Sequence, residues 1–333
     1  MNESQTEPLL QVDNLRVSMA TQQGIISPVR DVSFSINAHE TLGIIGESGC
    51  GKSVTVQAIM GLLSPRITRV EGDIALKGRA LHTLNPRQLR QYCGRDMAMI
   101  FQDPLSSLNP VFTLGQQIAE SLRLHTPLSG ALRRQRVVTL LEEVGIYDPV
   151  RTARMYPHEI SGGMRQRVMI AMAMACEPAL LIADEPTTAL DVTIQTQILA
   201  LLDSVKARTG MGIVIITHDL TVIAQMCQRV LVMYLGQVVE EADIITLFNK
   251  PRHPYTQALL ASRPSFSHAR KSRLTEIAGS VPSLSTPFSG CSFADRCPYV
   301  QARCQRHNPS LRDINEPGHR VRCWFAEQVG ETP

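Results

Sequence analysis

Residues Gly46-Glu47-Ser48-Gly49-Cys50-Gly51-Lys52-Ser53 fit the pattern G-x-x-x-x-G-K-[ST] at every position. Glycines let a backbone wrap closely round phosphate, and amides at a helix start present partial positive charge to anionic oxygens. Lys52 can reach the β- and γ-phosphates of a nucleoside triphosphate, and the Ser53 hydroxyl can ligate Mg²⁺. A second signal lies at 179–185, where the apolar run Ala-Leu-Leu-Ile-Ala ends in Asp184 and Glu185. Charge at the end of a hydrophobic strand is costly unless it is used. Asp184 can hold Mg²⁺ through water, and Glu185 can polarise an attacking water as general base. The chemistry these residues describe is hydrolysis of a nucleoside triphosphate. No guanine-reading Asn-Lys-x-Asp occurs, which favours ATP.

The elements that must position these groups alternate along the chain. Strands are expected at 9–12, 32–36, 41–45, 96–101, 179–183, 212–217 and 230–234. On the strand at 96–101, Met97, Met99 and Phe101 share a face. The run 41–45 feeds the phosphate loop, and Lys52 to Leu63 reads as the helix after it, stopped by Ser64-Pro65. Residues 115–145 carry helical spacing through Leu132, Val137, Leu140, Leu141 and Val144, with Gly145 suited to a stop. Alternating strands and helices predict an α/β fold around a mostly parallel sheet covered on both faces. Beyond Lys250, Pro251, Pro254, Pro264, Pro282 and Pro287 mark a linker-like segment wrapping a surface, followed by a cysteine-bearing tail.

Bulk properties narrow the function classes. The chain has 333 residues, a 44% hydrophobic content and a net charge of +3, too weak a basic balance to imply nucleic acid. The start is polar and acidic, unlike a secretory signal. The longest apolar run, 168–176, falls far short of the ~20 residues of a membrane span. These features predict a cytosolic chain that would work at a membrane only through partners. Cys50, Cys93, Cys176 and Cys227 are scattered, whereas Cys291, Cys297, Cys304 and Cys323 cluster near the C-terminus. In a reducing cytosol such a cluster points to a metal rather than to disulfides. Its spacing matches neither a zinc ribbon nor a ferredoxin run, so zinc, an iron–sulfur cluster and plain buried thiols all stay open. Cys50, beside a helix N-terminus, is placed where a thiolate is favoured, although the position is more simply a permissive one.

From about Leu9 to Phe248 the chain resembles the ATPase subunits of ABC transporters. Gly46–Ser53 matches Walker A and Ala179–Glu185 matches Walker B. Ile160-Ser161-Gly162-Gly163-Met164-Arg165-Gln166 looks like the family signature, Gln102 like the Q-loop glutamine, Ala189-Leu190-Asp191 like the D-loop and His218 like the switch histidine. The resemblance implies an ABC ATPase domain over 1–250 with a helical subdomain at about 104–165 that grips membrane subunits. It implies two such subunits closed head to tail round two ATP molecules. Ser161, Gly162 and Gly163 of one would cap the γ-phosphate bound by Lys52 of the other, with Asp191 beside them. Gln102 would sense the γ-phosphate and Mg²⁺, and His218 would hold the γ-phosphate and the attacking water. Two positions depart from the family. Met19 stands where an aromatic usually stacks on adenine, which weakens selectivity for the base. Met164 replaces the usual glutamine, as in the peptide and nickel importer branch.

The segment 251–333 resembles the C-terminal extension of oligopeptide and dipeptide importer ATPases, through His253-Pro254-Tyr255-Thr256, Gly279-Ser-Val-Pro282, Cys291–Pro298 and Gly318–Trp324. In dipeptide importers of this type the four cysteines hold a 4Fe–4S cluster, and the resemblance implies one here. Zinc is the alternative, with His307 or His319 as spare ligands. His253 and Tyr255 read as packing residues. The implied function is ATP-driven import of di- or oligopeptides, with nickel or a nickel chelate as the rival cargo. The implied partners are a second, similar ATPase, two membrane permease subunits and a substrate-binding protein, and no nucleic acid. The implied location is the cytoplasmic face of the inner membrane. A soluble ABC ATPase of DNA repair or translation fits less well, because the chain has one cassette and no heptad run.

Overall fold

Short apolar runs bounded by glycine and polar turns become the buried strands. The computed structural model describes residues 7–22, 24–103, 107–188, 190–262, 277–284, 289–314 and 317–329. Ala189 of the D-loop reading, residues 104–106 at the head of the expected helical subdomain, and Pro264 and Pro287 lie outside them. In chain order the strands are β1 (Leu10–Thr21), β2 (Gly24–Ile36), β3 (Thr41–Ile45), β4 (Thr68–Leu76), β5 (Arg79–Ala80) and β6 (Met97–Ile100). Then come β7 (Leu180–Asp184), β8 (Gly212–Ile216), β9 (Arg229–Tyr234), β10 (Gln237–Asp243), β11 (Arg312–Asp313) and β12 (Arg320–Val321). The chain partitions into two compact units, each built from discontinuous segments.

The first unit comprises Met1–Leu10, Ile36–Thr41 and Ala75–Ile216. β6, β7 and β8 run parallel in register, with Met97 opposite Leu180 and Leu180 opposite Gly212. All residues of these three strands are buried, which is why they read as continuous apolar runs rather than alternating ones. Phe101, expected to share a face with Met97 and Met99, lies beyond β6 and is 39% exposed. The helical stretch forms two helices rather than one, Leu114–His125 and Gly130–Glu143, interrupted round Pro127. Leu114, Ile118 and Leu122 of the first and Val137, Leu140 and Leu141 of the second are buried. Thr113 and Ser129 cap their starts, each accepting a backbone N–H three residues on.

The second unit comprises Gln11–Ser35, Leu42–Ile74 and Thr217–Pro333. Here β3 and β9 are parallel, and β10 folds back antiparallel to β9 across Leu235-Gly236. β12 then pairs with β10, and β11 with β12, so residues near the C-terminus continue the strand ladder. β1 and β2 run longer than the expected 9–12 and 32–36, because their alternating pattern carries on through polar residues on the exposed face. The helix after the phosphate loop spans Lys52–Ile59, and the chain leaves it at Met60-Gly61, before Ser64-Pro65. The proline-marked segment contains a helix, Pro254–Ala261, with Pro254 at the first helical position where its missing N–H costs nothing. Among the described residues, no helix is long and apolar enough to cross a membrane.

β10 carries two successive buried acids, each with its own partners. Glu241 pairs with Arg229 and, at 3.1 Å, with Arg320. Glu240 is fully buried; it accepts the N–H groups of Arg252 and His253 at 2.7 and 2.9 Å and meets His319 Nε2 at 2.7 Å. A buried carboxylate needs such partners to be tolerated.

Candidate functional site

The phosphate loop lies in the second unit, between β3 and the helix Lys52–Ile59. Gly51, the residue before that helix, has φ 101°, and a Cβ there would meet the Pro28 carbonyl oxygen at 2.2 Å. Gly46 has φ 150°, and a Cβ there would meet the Met233 carbonyl oxygen at 2.2 Å. Both positions therefore demand glycine on backbone conformation and on space alike. Gly49 also has positive φ and faces open space. Lys52 Nζ donates to the carbonyls of Gly46 at 2.7 Å and Glu47 at 3.0 Å, so the loop folds round its own ammonium. Ser48 is exposed, and Ser53 follows Lys52 in the first helical turn.

The structure argues against the thiolate reading of Cys50 and leaves the permissive one. The residue is 1% exposed, and burial raises its thiol pKa, with the opposing pull of nearby Lys52 too small to reverse this. Desolvation outweighs the helix terminus, so the thiol stays protonated and covered. N-ethylmaleimide is expected to label Cys50 far more slowly than an exposed thiol, by mass spectrometry of the native chain. Fast labelling that ATP blocks would contradict this.

Gln102, Asp184, Glu185 and the signature residues lie in the first unit. β7 ends at Asp184, which is 3% exposed. Glu185 follows with φ 50°, unusual for a residue with a side chain, and its N–H donates to the Ile216 carbonyl at 2.8 Å. Glu185 Oε2 accepts from Gln102 Nε2 at 3.0 Å and from Thr188 Oγ1 at 2.8 Å. The structure thus joins two residues assigned separately from sequence, and adds Thr188, which no sequence motif singled out.

Ser161 caps the helix Gly162–Met174, its Oγ accepting from the Met164 N–H at 3.3 Å, so the signature sits at a helix start. Gly162 faces open space, and Gly163 packs toward Ile194. Gln166 is buried and donates to the Pro186 carbonyl at 2.5 Å, linking the signature helix to the segment after Glu185. Asp191 caps the helix Val192–Thr209, accepting from the Ile194 N–H at 3.0 Å. His218, in the second unit, is exposed just after β8, followed by Asp219, which caps the helix Leu220–Met226. Met19 is half-buried on β1.

Cys291, Cys297, Cys304 and Cys323 line one small, largely enclosed cavity with His253, Phe293 and Trp324 among its walls. All four are free thiols, and burial holds Cys291 up to about 12 and Cys323 up to about 11. Among the described residues, no three His, Cys, Asp or Glu side chains are grouped as ligands of one metal ion. His319 is not a spare ligand: it is 2% exposed and bonded to Glu240. His307 lends its carbonyl to Trp324 Nε1 at 3.0 Å.

The ABC transporter family profile matches residues 29–188, and the oligopeptide/dipeptide transporter C-terminal region matches residues 239–304. A probable peptide ABC transporter ATP-binding protein of Sinorhizobium fredii is 50% identical over 322 residues, 96% of each chain. The dipeptide transport ATP-binding protein of Bacillus subtilis is 47% identical over 98% of this chain and 97% of its own. The chain belongs to the ABC transporter ATPases. Its Escherichia coli relative, also a dipeptide transport ATP-binding protein, is 45% identical over 95% of this ABC ATPase and 96% of its own chain. Among solved structures, a dimeric ATP-binding cassette in a post-hydrolysis state with ADP and phosphate matches with a TM-score of 0.64 and 28% identity. The match covers 71% of this ABC ATPase and 98% of the cassette.

For this ABC ATPase, the sequence motifs located the loop, the acids and the signature. They gave no warning of two residues of the C-terminal segment that meet the loop. Tyr255, read as a packing residue, accepts the Glu47 N–H at 2.8 Å through its hydroxyl. Arg296 forks onto the Glu47 carboxylate at 2.7 and 3.1 Å. The only sequence hint was their place inside segments resembling the importer extension.

Proposed function

We propose that this ABC ATPase is the ATP-hydrolysing subunit that drives import of di- and oligopeptides through a membrane transporter. The observation that carries the reading is the coincidence, in one chain, of an ABC cassette and an oligopeptide/dipeptide C-terminal region. The working domains are 1–250, the ATPase with its helical subdomain at about 104–165, and 251–333, the importer extension. Lys52 and the loop amides bind phosphate, with Ser53 and Asp184 serving Mg²⁺. Glu185 is the general base, Gln102 the sensor bonded to it, and His218 the holder of the γ-phosphate and water. Ser161, Gly162 and Gly163, at a capped helix start, meet the nucleotide of a partner cassette, the second, similar ATPase of a heterodimer. Exposed Val111, Phe112, Tyr147 and Val150 give the helical region apolar surface for two permease subunits. A binding protein feeds those permeases, and the chain sits peripherally at the cytoplasmic face of the inner membrane.

We further assign a 4Fe–4S cluster to Cys291, Cys297, Cys304 and Cys323. What supports the reading is that four thiols line one small, largely enclosed cavity, the donor number and type that such a cluster takes. The cluster would supply one-electron redox capacity and a cross-link of the segment, its four ligands bound as thiolates. Anaerobically purified chain is expected to contain about four irons, one thiolate being needed per iron in a four-cysteine site. Cys297→Ser removes its absorbance near 400 nm, and an unchanged spectrum rules the ligation out.

Transport is tested with the chain, its permeases and its binding protein reconstituted in liposomes. Dipeptide-loaded binding protein stimulates hydrolysis and peptide accumulates inside; Lys52→Ala abolishes both. Hydrolysis indifferent to peptide, with no accumulation, rejects the cargo.

A further inference from the structure

The C-terminal segment meets the phosphate loop at Glu47, its second residue. Both Glu47 oxygens face the Arg296 guanidinium, and the Glu47 N–H is held by Tyr255 Oη. Arg296 has little freedom to leave. Its side chain is 4% exposed, and every arm of the fork is occupied: Nε donates to the Ala278 carbonyl at 2.9 Å, one terminal nitrogen reaches Tyr234 Oη at 3.3 Å, and the other the Ile277 carbonyl at 3.3 Å. The guanidinium also lies 5.7 Å from the Tyr234 ring centre. Tyr255 is fully buried, its ring centre 4.7 Å from that of Tyr234 and 5.5 Å from that of Phe293.

An acid inside an anion-binding loop repels the phosphate that the loop is built to hold, and a partly buried charge is weakly screened. A bidentate arginine neutralises that acid and fixes where it points. We propose that Arg296 and Tyr255 are positioning residues for ATP binding: from the C-terminal segment they hold Glu47, so that the phosphate loop admits polyphosphate. Neither touches nucleotide in this reading; both act through Glu47. A mere anchor for the segment would use the same contacts, and the two roles differ in what a variant does to affinity. The inference rests on the ATPase reading. A wild-type chain without hydrolysis fails that reading, whereas hydrolysis whose KM ignores Arg296 fails this one alone.

The test is ATP hydrolysis by the full chain in its reconstituted transporter, against ATP concentration. Arg296→Gln is expected to raise KM about tenfold or more while kcat changes less than about threefold. Arg296→Lys recovers part of the loss, because an ammonium restores the charge without the fork. Glu47→Gln placed in the Arg296→Gln background recovers most of it, because the repelling charge is gone. Tyr255→Phe, which removes only the acceptor for the Glu47 N–H, raises KM by about a fewfold. An unchanged KM in Arg296→Gln overturns the proposal. So does a loss that Glu47→Gln does not relieve. If Arg296→Gln does not fold, Tyr255→Phe carries the test: an unchanged KM in that variant overturns it.

Discussion

Glu185→Gln is expected to lower steady-state ATP hydrolysis by about 10²–10⁴-fold, the usual range for loss of a positioned general base, while ATP still binds. The substitution is nearly isosteric. A glutamine oxygen can still accept from Gln102 Nε2 and Thr188 Oγ1, which hold the native carboxylate at 3.0 and 2.8 Å. The backbone at φ 50° and its bond to Ile216 are untouched. What disappears is the proton acceptor alone, so the chain should accumulate with ATP retained and with a longer-lived partner cassette. Phosphate release and nucleotide content after gel filtration measure both. Undiminished turnover would remove Glu185 from the role of base.

The second large effect is on stability. Glu240→Ala is expected to cost about 3–5 kcal/mol, the range for removing one partner of a buried charged cluster. The alanine would leave His319 Nε2 and the N–H groups of Arg252 and His253 without their acceptor in a site where Glu240 is fully buried. Burial holds His253 down to about 4, so its ring stays neutral beside Glu240. Glu240→Gln should cost less, because an amide oxygen keeps one acceptor in place. Chemical denaturation of the full chain measures both variants, and an Ala midpoint equal to wild type would show that water reaches the site and serves in the carboxylate's place.

The contrast between those two residues shows where sequence reading succeeds. Glu185 was legible because its environment is local: an apolar strand ends, two acids follow, and a phosphate loop lies upstream. Glu240 was not, because nothing around it in Val238-Val239-Glu240-Glu241 says that an acid faces inward. Its partners, Arg252, His253 and His319, come from later segments, and the sequence left His319 free to be read as a metal ligand. Strand cores at 41–45, 180–184 and 212–216 were readable because β-branched and aliphatic runs are buried on both faces. The extensions of β1 and β2 were not, since a half-exposed strand dilutes its apolar signal with polar residues.

By itself the sequence located the candidate residues: the glycine-rich loop between a strand and a helix, and the two acids at the end of a buried strand. Each rests on consecutive residues whose backbone geometry is set within a turn or a strand end. Only the tertiary structure decided how buried Cys50 is, that Gln102 and Thr188 hold Glu185, and that Arg296 and Tyr255 close on Glu47. Those outcomes depend on contacts across as many as 249 positions. Burial and hydrogen bonding over that separation follow from how sheets and segments pack, not from the residues on either side.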